Sequence, residues 1–226
     1  MKNTAPEVRQ DDPLLSRLRE KPDIQTFAAE VIDHPQWIPR LIEIMRTDRS
    51  SVKYLGDKVI RQLAVVRPDL ALPFFDEIAA LIDHSNSFMR WGAIQTLGIL
   101  VPQDQENRFD RHYGHFFDLI DDPSMITAGN VIGQTGPIVL ARPQDEPDIT
   151  RRLLQVRDNT YWYKDQPSPE CKNIVCGMVI DCFDQFFDRT SRKKEILAFV
   201  ASLKGNPRKE VAKKAELFLK KHTMKS

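Results

Sequence analysis

The sequence predicts an all-α protein, a right-handed α-α superhelix of about five to six stacked helix pairs. Two observations carry this prediction. Apolar residues recur three and four positions apart, as at Val52, Leu55, Val59 and Leu63, which is the spacing of one face of a helix. The pattern also repeats at about 36 residues, a period typical of arrays of helix pairs.

The repeat is marked by a glycine in the middle of the second helix of each predicted pair. The equivalent places are Leu55-Gly56, Trp91-Gly92, Ala128-Gly129 and Cys176-Gly177, and Val211-Ala212 continues the series. Glycine inside a helix costs about 1 kcal/mol relative to alanine, so glycines in register need a common reason. We expect each one to permit the close approach of a neighbouring helix where a side chain would clash.

Serines at helix starts and prolines at connections divide the chain into about twelve helices. Ser51, Ser87 and Ser124 each precede a large apolar residue and are predicted N-caps. The helices are predicted near 12–20, 23–33, 36–47, 51–66, 69–83, 87–101, 106–121, 124–139, 147–157, 169–187, 191–204 and 207–221. They are expected to form a single domain over 12–221, between flexible segments at 1–11 and 222–226.

The period, the helix pairs and the run Asn86-Ser-Phe-Met-Arg-Trp-Gly-Ala-Ile-Gln-Thr-Leu-Gly98 resemble HEAT repeats, members of the armadillo-like superhelix class. The resemblance covers roughly residues 35–221 and departs from the HEAT pattern at 129–136 and 158–168. HEAT proteins as a group are scaffolds and adaptors, so the resemblance implies binding rather than catalysis. A minority are enzymes, including HEAT-like DNA glycosylases of similar length and some bilin lyases.

Composition places the chain among cytosolic proteins. Charged residues make up 29% of it, no apolar stretch approaches the ~20 residues that span a bilayer, and Met1–Asp12 lacks the apolar core of a signal peptide. Three cysteines, Cys171, Cys176 and Cys182, lie in one predicted helix. An odd number in one helix favours reduced thiols over a disulfide framework.

Charge is distributed unevenly along the chain. Residues 189–226 carry a net charge of +9 and residues 103–188 a net charge of −7. This pattern fits a solvated terminal cap, electrostatic steering of a partner, or self-association between the end and the middle. Both a self-associated form and a monomer fit this charge pattern.

Patterns typical of catalysis and of cofactor binding are weak. His112, His115 and Asp118 share a helical face, but two histidines and one carboxylate without a fourth ligand favour a structural role over a metal site. The glycines of 129–136 have no following lysine and no preceding strand, so they do not form a phosphate-binding loop. We therefore predict no catalytic residue, metal or cofactor.

The connection 158–168 is the clearest departure from the repeat, because it stretches the local period to 48 residues. Insertions between helices of a repeat project from one face, often the binding face. Tyr161, Trp162, Tyr163 and Lys164 are therefore candidate partner-binding residues. In the alternative interpretation, Trp162 fills the adjacent core and the two tyrosines cover it.

The second helices offer another candidate surface, on the concave side if they line it as in HEAT proteins. Counted from the aligned glycines, Arg61 and Gln134 share one position, and Asn130 shares another with Asp57. Arg90, beside Trp91, could pair with a carboxylate or phosphate of a partner. The alternative is an ordinary solvated stripe.

These features predict a cytoplasmic, non-catalytic scaffold that binds a protein partner through its concave face and its aromatic loop. The alternative is a nucleic-acid-binding protein related in fold to DNA glycosylases. The basic C-terminal segment and the aromatics favour that alternative, whereas the acidic middle and the near-neutral net charge of +1 oppose it.

Overall fold

The computed structural model describes residues 12–223, so the predicted flexible segment 1–11 and residues 224–226 lie outside it. Within this range the chain is an array of α-helices with one short hairpin. The helices are α1 (Pro13–Arg19), α2 (Ile24–Asp33), α3 (Ile38–Thr47), α4 (Val52–Val66), α5 (Pro68–Ala71), α6 (Phe75–Ala79), α7 (Ser87–Leu100), α8 (Tyr113–Asp118), α9 (Met125–Ala141), α10 (Glu146–Gln155), α11 (Pro169–Phe186), α12 (Lys193–Ser202) and α13 (Lys209–Thr223).

The chain divides into two compact units, one ending at Thr96 and the other beginning at Leu97. The first unit holds α1 to α6 and most of α7. The second unit holds the end of α7 and α8 to α13. A single domain over 12–221 stays a prediction.

The second helices of the pairs, α4, α7, α9, α11 and α13, are continuous and lie within two residues of their predicted bounds. Two of the first helices are broken instead. The predicted helix at 69–83 is α5 and α6 joined by 3₁₀ turns, and Pro73 in the intervening turn cannot donate the backbone hydrogen bond that a continuous helix needs. The predicted helix at 106–121 reduces to α8 flanked by 3₁₀ turns.

The predicted N-caps are only partly correct. The hydroxyl of Ser124 accepts from the backbone N–H of Thr127, as predicted. The caps expected at Ser51 and Ser87 move one residue upstream: Ser50 accepts from Val52 N–H, and Asn86 accepts from Phe88 and Met89. The shift is natural because an Asn amide oxygen caps a helix at least as well as a serine hydroxyl.

At the aligned glycines, side chains of neighbouring helices lie close to where a Cβ would be. This confirms the predicted reason, the close approach of a neighbouring helix. In the first unit, a Cβ at Gly92 would lie 1.9 Å from Asp57 Oδ1, and one at Gly56 would lie 3.3 Å from Met45 Cγ. In the second unit, a Cβ at Gly129 would lie 2.8 Å from the sulfur of Met178. Alanine at Gly92 or Gly129 would therefore force the facing side chain to move.

Pro137 lies inside α9, where a proline ring normally clashes with the carbonyl four residues earlier. That residue is Gly133, and a Cβ there would meet no atom of residues 12–223 within 4 Å. The helix nevertheless runs unbroken from Met125 to Ala141. The predicted departure at 129–136 is thus a glycine-rich helix rather than an interruption.

The last helix ends two residues later than predicted. His222 and Thr223 belong to α13, and His222 is buried with its ring against Phe187 and Phe218. Its Nε2 lies 2.7 Å from Asp184 Oδ1. This contact attaches the end of α13 to α11, so the first two residues of the predicted flexible terminus are ordered.

Candidate functional site

The predicted loop 158–168 contains a β-hairpin. Strand β1 (Trp162–Tyr163) pairs antiparallel with β2 (Gln166–Pro167), and Trp162 lies opposite Pro167. Lys164 and Asp165 form the two-residue turn with φ of 49° and 60°. Positive φ at both central residues is the requirement of a type I′ turn, whose twist matches that of the flanking strands.

The base of the hairpin is fixed by Tyr161. Its side chain is 0% exposed, and its hydroxyl donates to the carbonyl of Ile120 at 2.8 Å. Burial raises the pKa of the Tyr161 phenol to about 12. The backbone N–H of Trp162 also donates to the carbonyl of Pro123 at 2.8 Å, and that of Ser168 donates to the carbonyl of Tyr161. The phenol and the Trp162 backbone bond therefore hold the hairpin on the segment before α9, and the Ser168 bond closes the base of the hairpin itself.

The next two aromatics project outward. Trp162 is 45% exposed and Tyr163 is 60% exposed, and Lys164 Nζ lies 5.3 Å from the centre of the Tyr163 ring. Ile126, two residues beyond the Ser124 that bridges to Trp162, is exposed as well. The alternative in which Trp162 fills the core is wrong, because Tyr161 fills it. Among the three predicted aromatics, Tyr161 is therefore inaccessible and the other two present surface.

Arg61 lies in a pocket of the first unit with a volume of about 430 Å³. The pocket lies between α4 and α7, and a terminal nitrogen of Arg61 contacts Asp57 Oδ2 at 3.0 Å. Its lining residues are Tyr54, Asp57, Lys58, Arg61, Phe88, Met89, Trp91, Gly92 and Gln95. Arg90 lies half-buried on α7 and is not part of this lining, whereas its neighbour Trp91 is.

The carboxylate of Asp57 is the most perturbed group in this pocket. Its side chain is only 8% exposed, and within the described residues Oδ1 accepts no hydrogen bond. Burial raises the pKa of Asp57 to about 6, although Arg61 and Lys58 act in the opposite direction. Sequence reasoning aligned Asp57 with Asn130 but gave it no role, because its burial depends on the approach of Gly92.

Asn130 and Gln134 are engaged within the second unit. The amide nitrogen of Asn130 donates to the carbonyl of Ile126 on its own helix at 2.8 Å. Gln134 packs against Gly98, where an added Cβ would lie 2.4 Å from the Cβ of Gln134. Gln134 thus has a packing role, and Asn130 closes a local hydrogen bond.

Acidic residues neutralise part of the basic C-terminal segment. Arg208 pairs with Glu170 and Glu210, while Lys214 pairs with Asp181. In the same way, Lys221 Nζ pairs with Asp184 Oδ1 at 2.8 Å. Helix α11 therefore supplies counter-charges to α13, which reduces the positive surface available to a polyanion.

The three cysteines are free and buried, and burial raises the pKa of Cys176 to about 11. A thiol in that environment is a packing group rather than a nucleophile. Across residues 12–223, no cluster of three or more His, Cys, Asp or Glu side chains is arranged to hold a metal ion. No helix in the same range is long and apolar enough to cross a membrane.

No protein-family profile matches the sequence, and no curated protein matches it. Solved structures match it strongly in fold. A designed armadillo repeat protein, YIII(Dq)4CqI, aligns over 95% of this chain and 95% of its own, with a TM-score of 0.60 and 15% identity. The chain has the armadillo/HEAT-like solenoid fold. A further engineered protein, a structural-genomics target, aligns over 94% of this solenoid chain and 92% of its own, with a TM-score of 0.54 and 11% identity.

Proposed function

We propose that this solenoid is a non-catalytic scaffold that binds a protein partner through the hairpin at 162–167. The observation that carries the proposal is the pair of exposed aromatics, Trp162 and Tyr163, on a hairpin anchored by the buried Tyr161. Armadillo-like repeat folds typically serve as scaffolds, which supports the non-catalytic part. The aligned inner-helix residues Arg61, Arg90 and Asn130 remain proposed secondary contacts.

The physical argument rests on pre-organisation. Tryptophan and tyrosine dominate binding energy at protein interfaces when a partner excludes water from them. Ordering a loop on binding costs free energy, and the bonds from Tyr161 and Trp162 to the segment before α9 are already formed in the free protein. The hairpin therefore presents its aromatics at reduced entropic cost.

The proposed location is the cytoplasm, because three buried free thiols fit a reducing compartment. Nucleic-acid binding is the competing proposal. The ion pairs of Arg208, Lys214 and Lys221 count against it, since phosphate neutralisation needs cations that are available. Retention of duplex or single-stranded DNA at low salt, lost steeply as salt is raised, would support the competing proposal instead.

The decisive experiment is affinity capture from the native cell extract, followed by binding measurements with the purified partner. Trp162→Ala/Tyr163→Ala is expected to weaken binding at least tenfold, in line with the loss of interface hot spots. Val65→Ala/Val66→Ala is the matched control, because it also removes two exposed apolar side chains and should leave affinity unchanged. Circular dichroism checks that both variants keep the helical fold.

Equal affinity of the hairpin variant and the control would refute the proposal. A variant that loses binding together with its helical signal would be replaced by the single change Tyr163→Ser, which alters the more exposed ring alone. Partner binding that survives this change at full strength would also overturn the assignment of the hairpin.

A further inference from the structure

The pocket between α4 and α7 is a second, separate feature that the hairpin proposal does not use. Its volume of about 430 Å³ falls in the range of sites that hold small molecules or side chains of a partner. One wall of the pocket is aromatic and the other is charged.

The aromatic wall is made of Tyr54, Phe88 and Trp91. Phe88 makes edge-to-face contacts with both neighbours, at centroid distances of 5.8 Å to Tyr54 and 5.3 Å to Trp91. Asn86 donates to the Tyr54 hydroxyl at 3.1 Å and fixes that ring. Phe88 is nevertheless 63% exposed, which leaves one large apolar ring of an ordered cluster open to a ligand.

The charged wall carries a net positive charge. Asp57 contributes its single negative charge, and its Oδ2 pairs with one terminal nitrogen of Arg61. Arg61 remains 24% exposed, and Lys58 is exposed on the same helix. Lys53 adds a third cation close by, with its Nζ 5.5 Å from the Tyr54 ring centre. The groups that α7 contributes to the lining are uncharged.

We propose that this pocket binds an acidic residue of a partner polypeptide that stands next to an aromatic residue. The carboxylate pairs with Arg61 and Lys58, and the neighbouring ring packs edge-to-face against Phe88 and Trp91. A carboxylate suits the site because it is a monoanion opposite a small net positive charge, and the planar guanidinium of Arg61 matches its two oxygens. The occupant is thus specified by charge complementarity on one wall and by ring packing on the other.

Asp57 competes with the incoming carboxylate for Arg61. Because burial already raises the pKa of Asp57 to about 6, acidification neutralises this competitor and releases Arg61. A glutamate of the partner, with an ordinary pKa of about 4.3, stays ionised over the same interval. Binding therefore takes up a proton and tightens as the pH falls from about 7.5 to about 5.5.

In the test, the full chain is titrated with blocked tetrapeptides, and the NMR signal of the Trp91 indole N–H reports binding. Gly-Glu-Phe-Gly is expected to bind at least fivefold tighter than Gly-Gln-Phe-Gly, and to tighten severalfold between about pH 7.5 and about pH 5.5. Arg61→Gln should abolish the preference for glutamate, and Lys58→Gln, an exposed change, should reduce it. Asp57→Asn should bind at pH 7.5 about as tightly as the unmodified chain does at pH 5.5.

Equal binding of the glutamate and glutamine peptides would overturn the proposal, and so would tighter binding of Gly-Lys-Phe-Gly. A fourth blocked peptide, Gly-phosphoserine-Phe-Gly, tests a phosphate ligand, and its tighter binding would overturn the assignment of a carboxylate. Trp162→Ala/Tyr163→Ala should leave peptide binding unchanged, so this proposal can fail while the hairpin proposal stands, and the reverse. If Arg61→Gln unfolds, Lys58→Gln with the peptide series still decides the outcome.

Discussion

The pocket of the first unit and the hairpin of the second unit present aromatic side chains in opposite ways. In the pocket, Phe88 and Trp91 lie one helical turn apart on a regular helix, beside a buried carboxylate. In the hairpin, Trp162 and Tyr163 project from a two-stranded segment that a buried phenol and a backbone hydrogen bond hold in place. The regular repeat thus forms a pocket between two helix faces, whereas the break in the repeat forms a projection and needs its own anchor.

The largest expected effect tests that anchor. Tyr161→Ala removes a fully buried ring and is expected to lower the free energy of unfolding by about 3–5 kcal/mol. Tyr161→Phe deletes only the hydroxyl and leaves the Ile120 carbonyl without its donor, at a cost of about 1 kcal/mol. Urea unfolding monitored by circular dichroism measures both. If Trp162→Ala lowered the free energy of unfolding as much as Tyr161→Ala, the assignment of Tyr161 as the anchor would be contradicted.

The next effect, about 3 kcal/mol, concerns the buried carboxylate of the pocket. Burial raises the pKa of folded Asp57 to about 6 from an ordinary 3.8, so the folded protein binds a proton that the unfolded chain releases between about pH 4 and about pH 6. Above this interval the ionised carboxylate weakens the fold. Asp57→Asn is therefore expected to stabilise the protein at pH 7.5, with a gain that shrinks through pH 6 and vanishes near pH 4.

Asp184→Asn is the control, because it is expected to change the free energy of unfolding in the opposite direction. Its neighbours Lys221 and His222 hold the pKa of Asp184 below its ordinary value, although burial acts in the other direction. The ionised Asp184 therefore stabilises the fold at neutral pH, and its replacement should destabilise the protein at pH 7.5. A pH-independent gain for Asp57→Asn would show that the charge of Asp57 is not what weakens the fold.

The smallest expected effect separates crowded glycines from open ones. Gly92→Ala pushes against the Asp57 carboxylate and is expected to cost about 1–2 kcal/mol after the helix preference of alanine is included. The new methyl of Gly133→Ala meets no atom of the described residues within 4 Å, so this change should be neutral or stabilise by up to about 1 kcal/mol. Thermal unfolding of both variants measures the difference, and equal changes would remove the packing reason for Gly92.

The array could be predicted from the sequence because its signals are local. The spacing of apolar residues gives the second helices within two residues, and the glycines in register give the close approach between repeats. The break at Pro73 departs from the predicted helix at 69–83 because proline has no backbone N–H to donate, and this outweighs the surrounding apolar pattern. The hairpin was missed because Lys164-Asp165 lacks the Asn or Gly that usually marks a type I′ turn.

The candidate site was predictable only in part. The aromatic run at 161–163 pointed to the right segment, but which ring is buried depends on the carbonyl of Ile120, 41 residues away in the chain. The pocket depends on Asp57 reaching Gly92, a contact between helices of different repeats. Sequence spacing named Arg61 but could not show that a neighbouring carboxylate occupies one of its nitrogens.

The anchoring of the hairpin separates folding from recognition in evolutionary terms. The fold depends on Tyr161 and on backbone bonds at the base, and backbone bonds are indifferent to the side chains that follow. Positions 162, 163 and 166 can therefore change under selection for binding alone, whereas 164 and 165 must keep residues that tolerate positive φ. The hairpin is thus a natural place to graft new recognition sequences onto this chain.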